Sequence, residues 1–173
     1  MSKKGNEEIK RQIPLIVVGS DGTGKTTFCK DFCEKHGMNC FHYTRENAKH
    51  WLEGDRKWAK EMAQYHVFDR HPVIDWPVYE YAFGNMTKDQ IAEWIETERV
   101  QYLLSYAGVL WFKHKYVQPS VERGDLPEAV QFAEKVDEGY ELFFELLKQT
   151  KVPFNVYAVT QKENDSNERT VRI

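Results

Sequence analysis

An open parallel β-sheet with helices on both faces is the fold class this sequence predicts, and three observations predict it. Short apolar runs alternate with longer stretches of helical spacing through residues 12–161, the pattern of strands joined by helical crossovers. A glycine-rich segment directly follows the first apolar run, as it does where a strand turns into a phosphate-binding helix. The 173 residues are 41% hydrophobic and 29% charged, which suits one ordinary globular domain and excludes a disordered or fibrous chain.

The elements are expected in this order. Ile13–Val18 is a short β-rich run with Pro14 at its start, where a missing N–H is tolerated. A helix follows from about Gly24 to His36, closed by Gly37. Asn39–Thr44 reads as a second strand. Residues 46–64 carry good helix formers interrupted by Gly54, and Tyr65–Phe68 is a very short third strand ending at Asp69. Residues 70–86 hold Pro72, Pro77 and Gly84 and predict an irregular stretch or a short, broken helix. Thr87-Lys-Asp-Gln90 is a capping-box pattern and opens one helix running to about Tyr106, with Ile91, Trp94, Ile95 and Tyr102 on its apolar face. Val109–Phe112 is a fourth strand. Asp125 and Pro127 start a further helix in which Phe132, Val136, Tyr140, Phe143 and Leu147 recur at helical spacing. Val152–Val159 is a fifth strand. Residues 1–11 are polar and expected to fray, and residues 162–173 read as a polar tail.

Charge and cysteine content narrow the function. A net charge of −3 argues against a protein that coats nucleic acid or sits on an acidic membrane. No apolar run approaches the roughly 18 residues of a membrane span, and MSKKGNEEIKRQ has no apolar core of a signal peptide. Three cysteines suit a reducing, cytoplasmic setting rather than a disulfide framework.

The strongest signal is Gly19-Ser20-Asp21-Gly22-Thr23-Gly24-Lys25-Thr26, a match to G-x-x-x-x-G-K-[ST]. Four such fixed positions arise by chance in a chain of this length with odds of about one percent or less, and this match has a strand before it and a helix after it. Glycines let backbone N–H groups curl around a phosphate with no Cβ in the way. Lys25 reaches the β- and γ-phosphates, and the Thr26 hydroxyl suits Mg²⁺. ATP and Mg²⁺ are therefore the expected cofactors. A carboxylate at the end of the adjacent strand is needed for the metal. Asp69 is the convincing candidate, because the fourth strand runs into Lys113-His-Lys115. Arg70 next to it supplies a guanidinium fork for an acceptor phosphate.

With those residues in place, the chain resembles the thymidylate kinase and deoxynucleoside kinase superfamily of P-loop kinases along nearly its whole length. Gly19–Thr27 looks like the thymidylate kinase form of the loop, which implies that Asp21 binds the 3′-hydroxyl of the acceptor deoxyribose. Thr44-Arg45-Glu46 is similar to Thr-Arg-Glu-Pro, implying that Arg45 holds the acceptor phosphate. Asp69-Arg70-His71 is similar to Asp-Arg-Tyr. Val121-Glu-Arg123-Gly-Asp125 falls where these kinases have a lid, implying that Arg123 approaches the transferring phosphoryl group. The resemblance also supplies the strand order 2-3-1-4-5 and one P-loop kinase domain over residues 12–161. Asn47 stands where proline is expected and His71 where tyrosine is. The stretch between Glu46 and Tyr65 is shorter than in ordinary thymidylate kinases. Glu46 followed by Trp51 resembles instead the Glu-Pro-x-x-x-Trp of nucleoside kinases, and Asp75 matches an aspartate beyond their Glu-Arg-Ser.

Two acceptors follow. A nucleoside monophosphate, pyrimidine by the resemblance, presents an ionised oxygen and needs only positioning and charge neutralisation. A nucleoside hydroxyl, or a hydroxymethylated base in DNA, has a proton to lose, and Glu46 is then the base. Arg45 and Arg70 favour the monophosphate. A third class is an ATPase or nucleotide switch; the absence of an Asn-Lys-x-Asp segment argues against its guanine-nucleotide version. The expected partner is a small-molecule nucleotide, with DNA the less favoured acceptor, no membrane, and a homodimer left open. Trp51 and Tyr79 are candidates for stacking the acceptor base. Cys29 and Cys33 are expected to pack under the sheet rather than bind zinc, and His42 and His66 to be core or edge residues of strands.

Overall fold

The computed structural model describes residues 13–113, 120–123, 127–151 and 153–159. The expected N-terminal segment 1–11, the tail 162–173, His114, Lys115 and Asp125 lie outside the described residues, as does the side chain of Arg123.

Five parallel strands form one sheet in the order β2-β3-β1-β4-β5, as the resemblance implied. They are β1 (Leu15–Val18), β2 (Cys40–His42), β3 (Val67–Asp69), β4 (Gly108–Phe112) and β5 (Asn155–Val159). Alternation along β1 feeds two cores. Ile16 and Val18 face a large one shared with Ile74, Val78, Ile91, Val100, Tyr140 and Phe143. Val17 faces a smaller one with Cys29, Cys33, Val67, Leu110 and Phe112. Cys29 and Cys33 are buried packing groups there, on α1 (Lys25–His36). That helix ends at Gly37 in a left-handed C-cap, as its sequence requires.

The second crossover is two helices, α2 (Arg45–Leu52) and α3 (Arg56–Met62). Asp55 caps α3, its carboxylate accepting from the N–H groups of Lys57 and Trp58. Asn47, which replaces the expected proline, completes a capping box on α2. Its N–H donates to the Thr44 hydroxyl, and its own side-chain oxygen accepts from the Thr44 N–H at 2.8 Å. Proline could not donate that first bond.

Residues 70–86 differ from expectation. Pro72–Ala82 is a single eleven-residue helix, α4, running through Pro77. Pro72 sits in the first turn, where an N–H has no intrahelical partner. Pro77 cannot donate to the carbonyl four residues back, that of Val73. The Trp94 indole N–H donates to that carbonyl instead, at 2.9 Å, so the proline leaves no orphaned acceptor. Residues 88–106 also differ, forming two helices, α5 (Lys88–Ile95) and α6 (Glu98–Tyr106). The Thr97 hydroxyl donates to the Trp94 carbonyl at 2.7 Å where the chain turns. The change of direction takes Tyr102 off the apolar face predicted for it, leaving it 65% exposed. Beyond the 3₁₀ turn Val121–Arg123 come α7 (Pro127–Gln131) and α8 (Ala133–Lys148). The one helix predicted from Asp125 and Pro127 is divided at Phe132, the half-buried N-cap of α8, and the rest of its predicted face (Val136, Tyr140, Phe143, Leu147) is buried. Gly139 lets α8 approach α4, since a Cβ there would lie 3.0 Å from the Val78 carbonyl oxygen.

Candidate active site

The carboxyl ends of β1, β2 and β3 carry the site, as expected for an open α/β sheet. Between β1 and α1 the chain curls through Gly19, Gly22 and Gly24, with φ of +143°, +81° and +80°. The Thr23 hydroxyl donates to the Ser20 carbonyl at 2.9 Å and fixes the curl. The Lys25 ammonium donates to the same carbonyl at 2.6 Å and to the Thr23 hydroxyl at 3.2 Å. The first N–H groups of α1 have no partner within the helix, the arrangement that suits a bound phosphate.

Lys25 is buried. Burial first, and the neighbouring Arg70 guanidinium second, lower its pKa from 10.5 to about 7. The unfolded chain therefore binds more protons than the folded one between about pH 7 and 10.5, and over that window this group's contribution to stability rises with pH. Lys25→Met is thus expected to be more stable than the wild type below about pH 7, with the advantage fading toward about pH 10. Urea denaturation at both ends of that range checks it. The Ser20 carbonyl keeps Thr23 as a donor in the variant.

Asp69 ends β3, in register with Val17 of β1 and His42 of β2. It is buried. Its Oδ2 accepts from the Thr26 hydroxyl at 2.6 Å and from His42 Nδ1 at 2.8 Å. Burial pushes the carboxyl up, but those two hydrogen bonds together with the charges of His42 and Lys25 outweigh it and hold the pKa below the ordinary value. The other oxygen, Oδ1, is buried with no hydrogen-bond partner among the described residues.

Arg70 is the only non-glycine residue with positive φ (70°) among the described residues, a conformation that costs energy and is concentrated at functional sites. Its N–H donates to the Val17 carbonyl at 2.9 Å. The guanidinium is bonded to the Asp21 carboxylate through Nη2 and to the Tyr79 hydroxyl through Nη1, at 2.9 Å. Asp75 stands 4.0 Å from Nη1. Burial opposes the charge on Arg70, yet these surroundings raise its pKa well above the ordinary value. Asp75 accepts from the His71 N–H at 2.6 Å and from the Tyr140 hydroxyl of α8. Burial lifts its pKa despite Arg70.

The structure thus gathers Asp21, Lys25, Thr26, Asp69, Arg70, Asp75 and Tyr79 in one connected cluster. Arg45 and Glu46 lie exposed in the first turn of α2, just beyond the end of β2, and Thr27 is exposed on α1. Trp51 carries the Arg99 guanidinium 3.7 Å over its ring and meets His71 edge-on at 5.1 Å. Tyr79 offers its hydroxyl to Arg70, and burial pushes that phenol up to about 12. His71 is itself buried, with a pKa lowered to about 3 by burial and then by Arg99. Its unprotonated Nδ1 accepts from the Val73 N–H at 3.1 Å and caps α4. Sequence reasoning missed the places of His42, Arg99 and Tyr140. For His42 the one available signal was its position on the strand expected beside Asp69.

Among solved structures, the fold superposes on a deoxyadenosine kinase from M. mycoides with bound dATP. The TM-score is 0.54 at 16% identity, covering 85% of this chain and 90% of that one. The same enzyme with dCMP and a flexible dCDP gives 0.54 at 17% identity, over 86% and 90%. A thymidylate kinase from Ehrlichia chaffeensis aligns over 89% and 90% at 13% identity, with a TM-score of 0.43. No family model and no curated protein matches the chain. The chain has the fold of the P-loop nucleotide kinases. No described helix is long and apolar enough to cross a membrane.

Proposed function

We propose that the protein is a kinase that transfers the γ-phosphoryl group of ATP to a deoxynucleoside monophosphate, a pyrimidine one by its resemblance to thymidylate kinases. The observation that carries this reading is a guanidinium fork, Arg70, held at the end of β3 by Asp21 and Tyr79, close enough to the buried Lys25 of the phosphate loop to act on its charge. Asp21, Asp69 and Asp75 also lie among these cations, and a guanidinium fork near the ammonium of a phosphate loop is the donor set that phosphates take. A neutral hydroxyl acceptor offers much less charge than a phosphate does.

The residues present also fit a divalent cation. Asp69 offers a buried carboxylate oxygen without a partner among the described residues, beside the hydroxyl of Thr26, and hard oxygen donors are what Mg²⁺ takes. Asp69 and Thr26 would hold it, and when bound it would neutralise charge on the transferring phosphates. The remaining work belongs to the chain. The amides of the Gly19–Thr27 loop bind the phosphates of the nucleotide. Lys25 neutralises charge on the γ-phosphoryl group. Arg70, aimed by Asp21, Tyr79 and Asp75, receives the acceptor phosphate, and Asp21 orients the acceptor sugar. Arg45 supplies a second fork from α2, and the resemblance assigns Arg123 to the transferring group. No general base is required, because the attacking phosphate oxygen is already ionised.

A hydroxyl acceptor is the second reading. It is favoured by the exposed Glu46 at the mouth of β2 and by the engagement of both Arg70 nitrogens with Asp21 and Tyr79. Labelled ATP offered with nucleosides, deoxynucleoside monophosphates and hydroxymethylated DNA separates the two. Label is expected in a diphosphate product, with turnover intact in Glu46→Gln. Label in a nucleoside or DNA, abolished by Glu46→Gln, supports the second reading. Hydrolysis with no labelled acceptor contradicts both.

A further inference from the structure

We infer that His42 is a positioning residue for the metal site: its Nδ1–H pins one oxygen of Asp69 so that the other is presented to a divalent cation. The inference rests on Asp69 being the metal-holding carboxylate of the proposed kinase.

A carboxylate turns easily about its last torsion, which is broad and roughly two-fold. Here both donors land on the same oxygen. Thr26 Oγ1 lies 2.6 Å and His42 Nδ1 2.8 Å from Oδ2, while Oδ1 is buried and has no partner among the described residues. Leaving a buried acceptor unsatisfied costs about 1–3 kcal/mol, and a simple flip would not relieve it, since one oxygen would still be left without a donor. The asymmetry is what a ligating carboxylate needs: one oxygen held and one offered.

Of the two donors, Thr26 sits on the loop's own helix, and its oxygen is assigned to the cation as well. His42 arrives from a different element. It lies on β2, opposite Asp69 in the parallel register, and its side chain is 48% exposed, so burial in a core does not explain its placement. The ring acts here through its Nδ1–H, a hydrogen-bond donor that fixes a ligand's orientation, and such partners are worth about 10–100-fold in metal affinity.

Manganese titration followed by electron paramagnetic resonance, with a non-hydrolysable ATP analogue present, tests this without turnover. His42→Ala and His42→Phe, the latter keeping a ring without the donor, are each expected to weaken manganese binding about 10–100-fold. His42→Asn, whose amide nitrogen sits near the place of Nδ1, is expected to recover most of the loss. A β2–β3 tether alone would lower the melting temperature and leave manganese affinity untouched. Unchanged affinity in His42→Ala or in His42→Phe overturns the inference alone, as does a folded His42→Asn that binds no better than His42→Ala. A wild-type protein that binds no manganese overturns it together with the reading it rests on.

Discussion

Arg70→Ala is expected to lower kcat/KM for phosphoryl transfer by about 10³–10⁵, the range for an arginine that neutralises charge in phosphoryl transfer. The guanidinium is half-buried, held by Asp21 and Tyr79 and faced by Asp75. No flexible surface cation can replace a group so oriented. Arg70→Lys is expected to recover little, because an ammonium cannot span Asp21 and Tyr79 while presenting a fork to a phosphate. Steady-state kinetics with ATP and a deoxynucleoside monophosphate check both variants, and near-ultraviolet circular dichroism confirms that each is folded. The left-handed backbone at Arg70 is equally available to lysine and alanine only at a cost, so neither variant removes the strain. A loss of less than about tenfold in a folded Arg70→Ala removes Arg70 from the transfer machinery.

Gly19→Ala carries the largest expected effect on stability. A Cβ at Gly19 would stand 2.4 Å from the carbonyl oxygen of Phe112 and 3.2 Å from its Cβ, with φ at +143°. The obstacle is the backbone of β4, which cannot step aside without breaking the sheet. Backbone strain of about 1–3 kcal/mol adds to overpacking of about 1–3 kcal/mol, so a melting temperature lower by about 10 °C is expected. Gly37→Ala is the control. Its φ is also positive (+61°), but among the described residues nothing lies within 4 Å of the new Cβ, so its cost is confined to the left-handed backbone, about 1–2 kcal/mol. The gap between the two melting curves isolates the contact between the loop and β4.

The contrast between what the sequence revealed and what it hid has a physical basis. The phosphate loop, Asp69 and Arg70 were readable because their chemistry is local: glycines at fixed spacing, and an acid at a strand end. The helix α4 was not, because Pro72 and Pro77 both read as breakers. Pro72 is harmless only because it falls in the first turn. Pro77 is tolerated because Trp94, seventeen positions later, donates to the stranded Val73 carbonyl. The break between α5 and α6 depends likewise on Thr97 turning back on the Trp94 carbonyl. In the site, the donor role of His42 follows from the register of β2 on β3, which no spacing reveals. The bond from Tyr140 to Asp75 spans 65 positions and two helices. It shows how α8 reaches the site through a carboxylate that sequence alone would place against substrate.

The account turns on a buried lysine, a held guanidinium fork and an offered carboxylate serving the movement of a phosphoryl group from ATP to an already phosphorylated acceptor. Phosphorus NMR of the wild-type protein with ATP, Mg²⁺ and a pyrimidine deoxynucleoside monophosphate tests that most directly. A new pair of diphosphate resonances growing in step with ADP is the expected result. Unchanged ATP across the set of deoxynucleoside monophosphates, or ADP accompanied only by free phosphate, would contradict it.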